Sequence, residues 1–261
     1  MKKGSSFRLF LKKYKLFRSL YYFYIAIKDF FRFNPILFLK HFSWYLGQLI
    51  RFKKLPSNPA FSQMEYYPCL LDNTNFTPLD PIYFYQDCWA AKKLFELKPQ
   101  HHYDVGSSAK TIGILSQFVP ITMIDIRPLP LELPNLFFKK GSILDLPFPD
   151  NSISSLSSLC VVEHIGLGRY GDDLDPFGSE KAIKELKRVL APKGILLFSV
   201  PVDKENKVFF NAHRAFTREY ILSLFSDMIL LEEKYIYGNK MFDCYDANKG
   251  FGTGLFMFQK P

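Results

Sequence analysis

Glu163 and His164 stand at the end of an apolar run, SLCVV, and open a long polar loop. A carboxyl and an imidazole in that position suit proton removal from an acceptor, since a base with a pKa near neutrality serves that step best. His213 and Arg214, after the next apolar strand, can reach the same cleft from its other side. The loop from Gly166 to Gly178 adds Arg169, Tyr170, Asp172, Asp173 and Asp175, enough polar groups to read a sugar or a polar head. Each has a plainer reading. A histidine after a strand is more often a hydrogen-bonded structural residue, and Asp175-Pro176 is good turn chemistry. The sequence supplies no further ligands to join the three aspartates, so no metal site is assigned.

A second group lies upstream. Asp104-Val105-Gly106-Ser107-Ser108 ends a short strand, and Asp125 follows 21 residues after Asp104. A tight turn after a first strand, with an acid about 20 residues later, is a layout that grips a nucleoside. Small residues admit backbone N–H groups to the ligand, and a carboxylate accepts from two ribose hydroxyls. The GxGxxG and GxxxxGK[ST] fingerprints are absent, which disfavours NAD and ATP. The plainer readings are a turn-forming Asp104 and a solvated Asp125.

The elements that must position these residues alternate. Helix is expected over Tyr83–Leu97, strand over His102–Gly106, helix over 109–118 and strand over 121–126. Pro128, Pro130 and Pro134 predict a loop before Gly141. A strand containing Cys160, an amphipathic helix over KAIKELKRVL and a strand over GILLFSVPV follow. The tail reads as helix (217–225), strand (228–237), an Asn/Asp/Gly-rich loop (238–252) and a last strand (253–259). Such alternation builds an α/β, Rossmann-like doubly wound sheet, mostly parallel, with an antiparallel C-terminal edge strand.

Charge divides the 261 residues unevenly: residues 1–54 carry 13 Lys/Arg and one acid, Asp29, whereas the remainder is mildly acidic. The expected domains are a basic aromatic helical arm (1–54), a proline-rich connector (55–80) and the α/β body (81–261). Within 7–33, Phe7, Phe10, Tyr14, Phe17, Tyr21 and Tyr24 share one helical stripe opposite Arg8, Lys12, Lys15 and Arg18. A basic face against aromatic rings suits an anionic membrane surface. Packing on the body is the bland alternative, and nucleic acid is disfavoured for want of any RNA-binding signature. HFSWYLGQLI (41–50) is a second short helix, and neither run approaches the ~18 apolar residues of a spanning helix. Four scattered cysteines fit a reduced, cytoplasmic protein, and neither a signal peptide nor a myristoylation signal is evident.

GSILDLPFPDNSIS, SLCVVEHI and KAIKELKRVLAPKGILLFSVP together resemble the class I S-adenosylmethionine-dependent methyltransferases. DVGSS, VVEHIGLGRYGDDLDPFG and NAHR are similar to a domain-of-unknown-function family among them, often associated with surface-glycan biosynthesis. The resemblance implies S-adenosylmethionine as cofactor, with Asp104, Gly106, Ser107 and Ser108 as the first motif and Asp125 as the ribose acid. Ser142, Ile143 and Asp145 then fall on the adenine side. From the residues themselves, Glu163, His164 and His213 are the catalytic candidates, and Arg169, Tyr170, Asp172 and Arg214 the substrate-binding ones. The chain departs from the pattern by keeping one glycine of three in the first motif and by carrying Ser142 where the adenine-side acid usually stands. A [DN]-P-P-[YFW] motif is also missing, so base and amide nitrogens are disfavoured as acceptors. The implied activity is O-methylation of a small-molecule or glycan acceptor, such as a glycolipid precursor, on the inner face of the membrane. The alternative is an inactive binding or assembly module of the same fold.

Overall fold

The computed structural model of the protein describes residues 35–61 and 63–261. The chain divides into two compact units, Met1–Pro78 and Leu79–Pro261. In the first, helix α1 (Pro35–Lys53) begins on a proline and contains no buried residue. Proline suits a first helical position, where its missing N–H would have no partner anyway. The expected helix at 41–50 is therefore longer at both ends. The aromatic stripe expected over 7–33 lies outside the described residues. No helix among the described residues is long and apolar enough to cross a membrane.

The second unit starts with a cap. Asp80 accepts from the backbone N–H groups of Ile82 at 2.9 Å and Tyr83 at 3.4 Å, which starts helix α2 (Pro81–Leu97) two residues before the expected Tyr83. Strands β1 (His102–Val105), β2 (Ile121–Asp125), β3 (Leu136–Lys140), β4 (Ile153–Leu159) and β5 (Leu190–Val202) follow. Helix α3 (Ala109–Leu115) joins β1 to β2, and helix α4 (Gly178–Val189) precedes β5. The proline-rich stretch before Leu136 forms no helix. The tail comprises a two-stranded ribbon of β6 (Lys207–Phe209) and β7 (His213–Ala215), then α5 (Arg218–Leu224), β8 (Ile229–Tyr237), β9 (Lys240–Phe242) and β10 (Gly252–Gln259).

The main sheet runs β3-β2-β1-β4-β5-β10-β8-β9. Its first five strands are parallel, and β10 is antiparallel to both β5 and β8. The sheet is thus the expected mostly parallel, Rossmann-like one with an antiparallel edge strand. That edge is β9, a short strand within the expected 238–252 loop, and the antiparallel C-terminal strand β10 lies two places inside it.

Period-two alternation packs both faces. Leu196, Phe198 and Val200 of β5 join Ile183, Leu186, Phe225 and Phe256 on one side. Leu197 joins Trp89, Leu94, Ile112 and Leu115 on the other. A strand buried on both faces reads as the continuous apolar run ILLFSV, because helices cover each side. Helix α2 is locked to β8 where Glu232 accepts from Trp89 Nε1 at 2.7 Å and from Lys93 Nζ at 2.6 Å. In doubly wound sheets the carboxyl ends of parallel strands remain open, and the candidate site lies there.

Candidate functional site

A cavity of about 880 Å³ opens where β1, β2 and β4 end. Tyr83 and Asp87 of α2, the Gly106–Thr111 turn, Asp125, Arg127, Glu163, His164, Arg169, Tyr170 and His213 all contribute to its wall. A smaller cavity of about 100 Å³ adjoins it, lined by Ile126, Ser142, Ile143, Leu144 and Asp172, and shares Gly106, Asp125, Arg127, Cys160, His164 and Tyr170 with the first.

The turn after β1 is set by sterics and by a buried carboxyl. Gly106 has φ +74°, and a Cβ there would lie 2.9 Å from Val161 Cγ1, so no other residue fits without displacement. Asp104 is fully buried beneath the turn and accepts from Ser107 N at 3.1 Å, Ser107 Oγ at 2.6 Å and Ser157 Oγ. Ser157 and Ser155 also contact the two ring nitrogens of His102, at 2.9 and 2.8 Å. Burial pushes Asp104 up to about 6 against these hydrogen bonds, and burial holds His102 down to about 3, so the ring is neutral. Asp104 therefore lines neither cavity. Its expected place against the cofactor is corrected to a brace under the loop, since its carboxylate is taken up by Ser107 and Ser157.

Asp125 does reach the cavity, at the end of β2, but it has a partner. Arg127 donates to it from its backbone N at 2.7 Å and from Nε and a terminal guanidinium nitrogen, each at 3.3 Å. Ser142 and Ile143 line the smaller cavity, whereas exposed Asp145 lines neither, because it faces solvent one residue before Leu146 turns into the core.

Strand β4 ends at Leu159, and Cys160 adopts φ +54°, so the expected strand stops before rather than after this cysteine. The change of direction leads into the short 3₁₀ turn Val162–His164, which aims Glu163 and His164 into the cavity. His164 Nδ1 lies 2.6 Å from the Ala212 carbonyl oxygen. A carbonyl only accepts, so Nδ1 carries the proton and Nε2 keeps its lone pair. Burial holds this ring down to about 4 despite that bond, with Arg169 and His213 acting in the same direction. Glu163 is 2% exposed, and its Oε2 has no hydrogen-bond partner among the described residues. Burial pushes its carboxyl up to about 8, only partly offset by its hydrogen-bonding neighbours and Arg169. At neutral pH the pair thus holds its proton on Glu163 and a free acceptor on His164.

His213 faces the cavity between Phe209 and Phe251, with ring centroids at 4.9 and 5.5 Å, and burial lowers its pKa. Arg214, next along β7, points the other way. It is buried and donates to the carbonyls of Ile165, Asp175 and Pro176 and to Ser179 Oγ. Its expected role as a substrate ligand is corrected: it fastens the 165–179 loop and lines neither cavity. Asp172 borders the smaller cavity but spends its carboxylate on the N–H groups of Gly166 at 2.7 Å and Tyr170 at 3.2 Å. Burial opposes its charge, yet these backbone donors prevail and hold it below the usual carboxylate range. Arg169 and Tyr170 remain open to the cavity.

Arg127, Tyr83 and Asp87 are wall residues that sequence reasoning misses. Arg127 carries a signal: two residues beyond a strand-end acid, a guanidinium can fold back onto it. Asp87 and Tyr83 carry none, because a helix that precedes the first strand gives no indication of which loop it covers.

Residues 139–238 match the family described as "Caenorhabditis protein of unknown function, DUF268". No curated protein matches the chain. Among solved structures, one similar fold is 1,6-didemethyltoxoflavin-N1-methyltransferase from Burkholderia thailandensis, with bound 1,6-didemethyltoxoflavin and S-adenosylhomocysteine. It is 12% identical, with TM-score 0.52 over 71% of this chain and 92% of that one. Another, from Galdieria sulphuraria and described as a sarcosine dimethylglycine methyltransferase, is 17% identical, with TM-score 0.50 over 68% and 86% of the two chains. At these identities the likeness concerns the fold: the chain has the α/β, Rossmann-like methyltransferase fold.

Proposed function

We propose that the protein transfers a methyl group from S-adenosylmethionine to a hydroxyl of a polar acceptor, a glycan or glycolipid precursor. The observation that carries this reading is that Asp125 and the Gly106 turn open onto the same cavity as Glu163 and His164. The residues present fit the cofactor. The cavity falls within the roughly 300–1,000 Å³ of small-molecule sites. Asp125 would take the ribose hydroxyls, Ile126, Ile143 and Leu144 offer an apolar wall to the adenine, and Gly106 leaves room for close backbone approach. When bound, the cofactor supplies an electrophilic methyl group on a sulfonium.

The chain's own residues supply alignment and proton transfer. Methyl transfer is an in-line displacement, so fixing the acceptor accounts for much of the rate. Tyr170 and Arg169 offer a flat, charged wall against which a sugar can lie. His164 Nε2 accepts the acceptor's proton, and Glu163, once ionised, steadies the imidazolium that results. The basic segment 1–54 would hold the protein to the anionic inner face of a membrane, where such an acceptor is found.

A second reading, an inactive binding module, is favoured by one observation: Arg127 already occupies the carboxylate that the ribose needs. Calorimetry with S-adenosylmethionine and S-adenosylhomocysteine decides between them. Binding that Asp125→Ala weakens supports the enzyme, whereas no heat at millimolar ligand removes it. Flotation with anionic vesicles tests the arm. Equal binding by a chain lacking residues 1–54 would end the membrane assignment.

A further inference from the structure

Arg127 and Arg169 pack on the same aromatic ring. Their guanidinium carbons lie 4.6 and 5.2 Å from the centroid of Tyr170. The ring itself stands edge-on to His164 at 5.6 Å. All four residues border the larger cavity. Like charges gathered on one ring repel unless an anion lies near, and the carboxyl that feels Arg169, Glu163, holds its proton at neutral pH. Among the described residues, Asp125 is ion-paired with Arg127. Arg169 makes no ion pair among the described residues. One of its terminal nitrogens donates to the Ala212 carbonyl at 2.9 Å. A guanidinium has five N–H donors in a planar fork, so most of Arg169's capacity remains for a ligand. Such a fork matches the oxygens of phosphate or carboxylate better than an ammonium does.

We propose that Arg127 and Arg169, both packed on Tyr170, seat an anionic group, phosphate or carboxylate, carried by the methyl acceptor. The assignment to the acceptor rests on the proposed function, in which Asp125 serves the cofactor's ribose. Hydroxyls arriving at Asp125 loosen its hold on Arg127 and turn that guanidinium toward the acceptor. The acceptor's anion therefore binds more tightly after the cofactor than before it. The site selects a sugar phosphate, a phospholipid-linked sugar or a uronic acid over a neutral sugar.

The test titrates the full chain with pyrophosphate, and separately with malonate, in the absence and presence of saturating S-adenosylhomocysteine. Pyrophosphate is expected to bind alongside S-adenosylhomocysteine, and more tightly in its presence. Arg169→Gln and Arg127→Gln should each weaken that binding by roughly tenfold or more, the loss of a charge-assisted hydrogen bond. S-adenosylhomocysteine affinity should be kept in Arg169→Gln and kept or raised in Arg127→Gln, where Asp125 is released. Tighter binding of malonate than pyrophosphate assigns the seat to a carboxylate. Unchanged pyrophosphate affinity in both folded variants overturns the seat, as does direct competition between pyrophosphate and S-adenosylhomocysteine. Should S-adenosylhomocysteine fail to bind, the methyltransferase reading falls by itself. Arginine-dependent pyrophosphate binding would then keep the seat without its acceptor role, and its absence would remove both.

Discussion

Oε1 of Glu163 stands 3.6 Å from Nε2 of His164, too far for a hydrogen bond and close enough for each group's charge to govern the other's. Burial moves the two in opposite directions, the carboxyl up to about 8 and the imidazole down to about 4. At neutral pH the proton therefore rests on the carboxyl, which ordinarily gives it up, and the imidazole keeps its lone pair. A proton taken up by His164 becomes favourable once Glu163 has lost its own.

That order fixes the pH dependence of turnover. Formation of S-adenosylhomocysteine should rise as Glu163 ionises through about pH 8 and then level off. In Glu163→Gln the profile should lose this limb and lie roughly 10²-fold lower, the usual contribution of an acid–base group. An unchanged limb in the glutamine variant would assign the ionisation to another group and displace Glu163 from the reaction.

Glu163 and His102 set opposite slopes on stability. The folded pKa of Glu163 is raised to about 8 from 4.5, so its contribution is complete below about 4.5 and is lost as pH rises through about 8. His102 is lowered to about 3 from 6.5, so its contribution is complete above about 6.5 and is lost as pH falls towards 3. Thermal midpoints should show Glu163→Gln gaining on the parent chain as pH rises from 5 to 8. A constant gap over that range would mean that Glu163 is solvated in the folded protein.

Gly106 is a narrower test of the cofactor turn. Its φ of +74° opposes a side chain, and so does Val161, whose Cγ1 would stand 2.9 Å from an alanine Cβ at this position. Gly106→Ala should cost about 1–2 kcal/mol of stability from the left-handed backbone. Its larger effect should be on S-adenosylhomocysteine affinity, because Val161 borders the smaller cavity and must shift. Calorimetry at a temperature where both proteins are folded separates the two effects, and an unchanged affinity would remove the turn from the cofactor site.

The order of elements makes the sheet legible: KAIKELKRVL carries the helical period, and ITMID and ILLFSV are short apolar, β-branched runs of strand length. The site is legible to the level of which strand ends meet, but not to which way each side chain faces. Asp104 pairs in register with Ser157 of β4, so its carboxyl is consumed within the sheet. The serines of ISSLSSL are the available signal, since buried hydroxyls in a central strand require polar partners. His213 and Arg214 look like one group in the sequence, yet neighbours on a strand face opposite sides, and here one meets the cavity and the other the loop behind it. The β6–β7 ribbon escapes sequence reasoning because KVFFNAHRA is too short for either periodicity to register.

Arg214 shows how far the 165–179 loop depends on one buried side chain. Its guanidinium holds three carbonyls and Ser179 Oγ, and Gly166 and Gly178 permit the same loop to close tightly. Arg214→Ala leaves those acceptors without their charged donor, at a cost of roughly 3 kcal/mol. Arg214→Lys should recover little of it, since a point charge cannot span the fork. Because Arg169, Tyr170 and Asp172 all ride on this loop, its release should also free them. Limited proteolysis should cut both variants within residues 166–177 at least tenfold faster than the parent chain, in line with an opening made easier by a lost charge-assisted bond. Cleavage at the parent rate in both would show that the loop is held by its own turns, with Arg214 merely filling space behind it.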